Sequence, residues 1–109
     1  LRALQDLGLE PDGAVVHQRD RGAAYAAALA RLLDAGLAFE CHCSRTDLAA
    51  HGGIHRRCVP GRRRPDPAIR LRVPDGSVVA FDDAVLGPQV QDVAGDVGDV
   101  VLRRADGLW

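Results

Sequence analysis

All three cysteines of the chain and three of its four histidines fall between positions 41 and 58: Cys41, His42, Cys43, His51, His55 and Cys58. Thiolates and imidazoles are the side chains zinc prefers, so a single ion could dictate how this window folds. Cys41 and Cys43 stand one residue apart, and a slight turn at the end of a strand would aim both sulfurs at one point. His55 and Cys58 are three apart, close enough for a tight turn to present both to the same place. Together the four would close a tetrahedral shell with no position left for water, which describes a structural ion and not a Lewis acid. Structural zinc binds small peptides with roughly 10 to 16 kcal/mol, against the roughly 5 to 15 kcal/mol that holds a whole domain together. Such an ion could order the surrounding loop almost alone. In an extended segment neighbouring side chains alternate, so His42 is expected to point away, at the surface. His51 is the substitute for His55 if the loop folds differently, and His17, remote from the cluster, reads as a partly exposed residue. The one-residue spacing of the first pair is shorter than the two to four of zinc ribbons, which leaves three buried free thiols as the plain alternative.

The 109 residues have the length of one modest domain, and 47% hydrophobic content is ordinary for a soluble protein. No apolar run approaches the roughly 18 to 20 residues of a membrane span, and the N-terminus lacks the features of a signal peptide. The expectation is a cytoplasmic monomer with no membrane partner, in a compartment that keeps its cysteines as thiols. The absence of methionine, even at position 1, and the end just after Asp106-Gly107 suggest an internal piece of a longer protein. All fourteen basic residues are arginine, and they are unevenly spread. Positions 1 to 40 carry a net −2, positions 41 to 72 carry +6 and positions 73 to 109 carry −5. The basic third contains the Cys/His cluster, which makes nucleic acid a candidate partner through Arg56, Arg57, Arg62, Arg63 and Arg64. A merely solvated loop is the alternative.

Along the chain, Leu1, Leu4 and Leu7 before Gly8 fit the last turns of a helix. A Pro11-Asp12-Gly13 turn precedes a short apolar stretch, Ala14 to Val16, expected as a buried strand. Asp20 is the expected N-cap of a helix whose apolar face is Tyr25, Ala28, Leu29, Leu32 and Leu33, ending at Gly36. Leu37 to Cys41 reads as a strand. This helix and strand rhythm predicts an α/β sheet of the parallel kind. Ser44 and Asp47 resemble a capping box opening a short helix through Ala50, which Gly52 and Gly53 break. The stretch with Arg62 to Arg64 among Pro60, Pro65 and Pro67 is loop. Ile69, Leu71 and Val73 alternate with arginines as a half-buried strand, and Pro74 to Ser77 is expected to turn it back into Val78 to Phe81 as a β-hairpin. Val100 to Arg104 is a last strand, with Asp106-Gly107 opening a further hairpin.

Other constellations carry no chemistry. Asp82 and Asp83 are adjacent and would face opposite ways on a strand, so they cannot act as an acid/base pair. Gly95-Asp96-Val97-Gly98 lacks the spacing of a dinucleotide fingerprint, and no serine, histidine and acid stand in a nucleophile arrangement. The segment therefore offers no catalytic residue and no cofactor-binding motif.

The run QRDRGAAYAAALARLLDAGLAFECHCSR, then GGIHRRC, AIRLRVPDG and VGDVVLRRADGLW, in that order and over nearly the whole chain, resembles the glutamyl-Q tRNA(Asp) synthetases. Full-length glutamyl-tRNA synthetases are the closest competing assignment. The resemblance implies part of a class I synthetase Rossmann-like catalytic domain, with a zinc-bearing insertion and a β-hairpin. On that reading, positions 1–40 belong to the Rossmann-like domain, 41–67 to the zinc insertion and 68–109 to a β-rich continuation. Family members activate glutamate with ATP and attach it to the queuosine base of tRNA(Asp). The family holds its structural zinc with a Cys-x-Cys pair, a tyrosine after Gly-Gly-Ile, and a cysteine four residues beyond. Cys41, Cys43 and Cys58 match, while His55 takes the tyrosine position with two residues, not three, before Cys58. The family's ATP-gripping signatures and glutamate-binding residues lie outside the matching stretch, so ATP, glutamate and tRNA(Asp) are implied for a full-length enzyme only. A zinc-stabilised nucleic-acid module without activity, and a metal-free scaffold, are the readings from other classes.

Overall fold

A computed structural model describes residues 2–109. Its elements in chain order are α1 (Arg2–Asp6), a 3-10 turn (Gln18–Arg21), α2 (Gly22–Asp34), β1 (Ala38–Cys41), α3 (Arg45–Ala49), β2 (Ala68–Leu71), β3 (Val78–Asp83), β4 (Gly87–Asp92), α4 (Val93–Asp96) and β5 (Val100–Arg103). The strands form two sheets, β1-β2-β5 and β3-β4. Chain topology is thus mixed helix and sheet, as expected, but every strand pairing is antiparallel. The parallel expectation fails because Ala14 to Val16, which α2 would have linked to β1, forms no strand, and the neighbour of β1 is β2. The chain between them is the Cys/His loop, which simply returns it in the opposite direction.

Helix α2 forms because alanines fill it and Leu29 and Leu32 recur on one side. Leu29 is buried with Ala38 of β1 and Ile69 of β2, and Leu32, Leu102 and Trp109 pack around them. This is a small core. The helix stops at Gly36, whose φ of +67° suits glycine. The Leu37 N–H then reaches the Leu32 carbonyl at 2.9 Å and the Gly36 N–H the Leu33 carbonyl at 2.9 Å, the Schellman pattern. At the other end the expectation is corrected: Asp20 lies inside the 3-10 turn, and Arg21 takes the N-cap position with no side-chain cap. The five-residue apolar face also narrows, since Leu33 is exposed.

Two further expectations change. Ala14 to Val16 forms no strand, and Val15 and Val16 are exposed. The Pro74 to Ser77 turn exists, with the Ser77 N–H on the Pro74 carbonyl at 3.3 Å, but the strands it joins do not pair. Both edges of β2 are already taken, by β1 through Phe39↔Arg70 and by β5 through Leu71↔Val100. β3 instead pairs with β4, a strand not expected from the sequence, in the register Ala80↔Val90. Of the expected N-terminal helix, α1 and Gly8 at φ +73° are seen, while Leu1 lies outside the described residues.

Candidate metal centre

β1 delivers the first donor, because its pairing with β2 ends at Cys41↔Ala68 and leaves the Cys41 side chain 1% exposed. His42 turns the other way, half-buried, with its Nδ1 accepting the Arg64 N–H at 3.0 Å. Cys43 returns to the inner side and is also buried. Immediately afterwards the predicted capping box is present. The Asp47 N–H donates to Ser44 Oγ at 3.1 Å, and the Ser44 N–H donates to Asp47 Oδ2 at 2.8 Å. The Ser44 N–H and the Ser44 hydroxyl, both donating to Asp47 Oδ2, with Arg62 on Oδ1 at 2.8 Å, hold the Asp47 carboxyl below the usual aspartate range. The box starts α3 so abruptly that the chain after Cys43 must turn. Gly52 and Gly53, at φ +64° and +83°, end it and bring Ile54 and His55 back toward β1.

His55 is 1% exposed and lies beside Gly98 in an isolated parallel bridge. Its Nε2 is 3.8 Å from Cys43 Sγ and 3.6 Å from Cys58 Sγ. The donor atoms of Cys41, Cys43, His55 and Cys58 all lie within 4.8 Å of one another. In a tetrahedron with Zn–S of about 2.3 Å and Zn–N of about 2.05 Å, the sulfur-to-nitrogen edge is about 3.6 Å. The observed separations match that edge, so the donor set fits a metal ion in number, chemistry and spacing. All three cysteines are free thiols. Burial, and then the neighbouring Cys41 and Cys43, push the Cys58 thiol up to about 11, a crowding of sulfurs that a divalent cation would relieve. The Val59 N–H points at Cys43 Sγ from 3.2 Å, a contact suited to a sulfur carrying negative charge.

The structure therefore brings together the four residues singled out in the sequence and leaves the other histidines out. His51 lines an adjoining concavity with Arg56, Arg57 and Cys58, and His17 is exposed before the 3-10 turn. One participant was missed. Asp99, 5% exposed, sets Oδ2 2.8 Å from His55 Nδ1, and a separation of 44 positions hides the pairing from any linear motif. The arginines also sort differently than charge alone suggested. Arg56 is tied to the Val73 carbonyl and Asp75, and Arg62 to Asp47, whereas Arg57 and Arg63 are exposed. Arg64 joins Arg45, Arg70 and Arg104 around a concavity of about 600 Å³ beside Cys43, which Asp106, paired with Arg104 at 2.7 Å, also lines.

The chain aligns over its whole length with proteins named glutamyl-Q tRNA(Asp) synthetase. It is 59% identical over 111 residues to that of Xanthomonas axonopodis pv. citri (strain 306) and 60% identical over 111 residues to that of Xanthomonas oryzae pv. oryzae. It is 44% identical over 121 residues to that of Neisseria meningitidis serogroup A. No protein-family model matches it. The chain spans 36% of the length of the Xanthomonas relatives and 41% of the Neisseria one. Over every one of its residues, and as about two fifths of their length, the chain is thus similar to proteins named glutamyl-Q tRNA(Asp) synthetase.

Proposed function

We propose that this chain is the zinc-bearing stretch of a cytoplasmic ligase that activates glutamate with ATP and transfers it to the queuosine base of tRNA(Asp). The observation that carries the reading is the 59 to 60% identity, over the whole chain, to proteins bearing that name. Cys41, Cys43, His55 and Cys58 hold the zinc, whose contribution is a covalent-like staple between the end of β1 and the loop that follows α3. The closeness of the four donors supports that assignment. The basic concavity of Arg45, Arg64, Arg70 and Arg104, with exposed Arg57 and Arg63, supplies charge for tRNA phosphates. ATP and glutamate are bound elsewhere in the enzyme.

The test uses a protein containing this chain, incubated with ATP, labelled glutamate and, in parallel, tRNA(Asp) with queuosine, tRNA(Asp) without it, and tRNA(Glu). Label confined to queuosine-bearing tRNA(Asp) is expected. Label on the terminal adenosine of tRNA(Glu) would instead establish the glutamyl-tRNA synthetase reading. The isolated 109 residues are expected to show no glutamate-dependent pyrophosphate exchange, and exchange at an enzymatic rate would overturn the placement of the nucleotide site outside them.

A further inference from the structure

His55 is gripped from two sides by one residue. Its Nδ1 meets Asp99 Oδ2 at 2.8 Å, and its backbone carbonyl accepts the Asp99 N–H at 2.8 Å. Asp99 is itself fixed: its Oδ1 accepts the Val73 N–H at 2.9 Å, and its carbonyl accepts Arg70 Nη1 at 2.7 Å. Among the described residues, His55 and Asp99 are the two buried polar or charged side chains. Burying a carboxylate is costly unless its oxygens are satisfied, and here each oxygen has a partner. Gly98 allows the approach. A side chain there would meet the His55 carbonyl and stand 2.7 Å from Ile54 Cγ2, and its φ of +69° disfavours anything but glycine.

We infer that Asp99 is the positioning residue of the metal centre, turning the His55 imidazole so that Nε2 faces the three sulfurs. A carboxylate offers only acceptors, so the ring nitrogen facing it carries the hydrogen. The lone pair then sits on Nε2, the nitrogen 3.8 Å and 3.6 Å from the Cys43 and Cys58 sulfurs. A histidine ligand whose second nitrogen is held by a carboxylate is oriented before the ion arrives, and losing such a partner commonly costs about 10 to 100-fold in metal affinity. Asp99 directly precedes β5, so the same contact fastens the metal loop to the sheet. This inference rests on the metal reading above.

Two measurements on the whole chain test it. In the zinc-loaded protein, long-range nitrogen–proton correlation spectra should show His55 with the hydrogen on Nδ1 and zinc on Nε2; zinc on Nδ1, or no zinc on the ring, overturns the proposal without any substitution. Competition with a chelator should find zinc held about 10 to 100-fold more weakly by Asp99→Asn. In a His55→Ala background, Asp99→Asn should make no further difference to affinity. A purely structural aspartate would weaken both backgrounds alike, and that result, or unchanged affinity in the single variant, sinks the inference. Tight zinc binding indifferent to Asp99 would defeat this proposal alone, whereas failure of the unmutated chain to bind zinc would defeat the metal reading as well.

Discussion

The loop from Cys41 to Cys58 and the β3-β4 hairpin are of similar size and are built on opposite principles. In the loop, Cys41, Cys43, Leu48 and His55 are buried although there is little regular structure between them. The hairpin has six paired positions, yet Phe81 is 58% and Val90 73% exposed. Its cohesion is backbone hydrogen bonding, aided at the turn by Asp83 Oδ1, which accepts the N–H groups of Val85 and Leu86 at 2.8 Å. A lone two-stranded ribbon is marginal in water, so regular pairing by itself fastens little. Irregular chain whose polar groups converge is held more firmly. The molecule's elongation follows: its radius of gyration is 17.9 Å, against roughly 13 Å for a compact domain of about 100 residues.

Breaking the loop should therefore cost most. Cys43→Ser, or zinc removal by a chelator, is expected to take metal content from about one ion per chain to near zero. Amide exchange in residues 41–58 should then rise sharply while β3-β4 keeps the exchange it had; equal zinc in both proteins would end the comparison. Next comes the small core between α2 and the three-stranded sheet. Ile69→Ala, at a site 4% exposed, should lower unfolding free energy by about 2 to 5 kcal/mol in denaturant titrations. Gly98→Ala should cost more than the roughly 1 to 2 kcal/mol of a left-handed backbone alone, because the new methyl meets His55, and zinc affinity should fall with it.

Smaller effects sharpen the contrast. Ser44→Ala removes the acceptor for the Asp47 N–H and should destabilise by about 1 kcal/mol. The capping contribution also has a sign with pH. Asp47 is depressed in the fold, so its contribution is complete above the ordinary aspartate value of about 3.8 and fades as pH falls through the lowered one. Ser44→Ala should flatten that acid limb. Least of all, Phe81→Ser on the hairpin should stay within about 0.5 kcal/mol of the parent, and a loss of several kcal/mol would show a packing role that its exposure denies.

What could be read directly from residue order was local. The Cys-x-Cys pair, the Ser44-Asp47 box, the glycine ending α2 and the spacing of His55 and Cys58 all depend on groups within a few residues of one another, whose geometry the chain itself dictates. Strand partners were not legible. β2 had an equally good neighbour in β3 by sequence, and only competition for its two edges among β1, β3 and β5 decided the outcome. Asp99 lies in the same class, an unremarkable acid until folding places it against an imidazole 44 residues away. Hydrogen-bond spacing along one segment is set by bond lengths and torsions, whereas contacts between distant segments are chosen by which combination buries most and leaves fewest polar groups unpaired, a property of the whole fold.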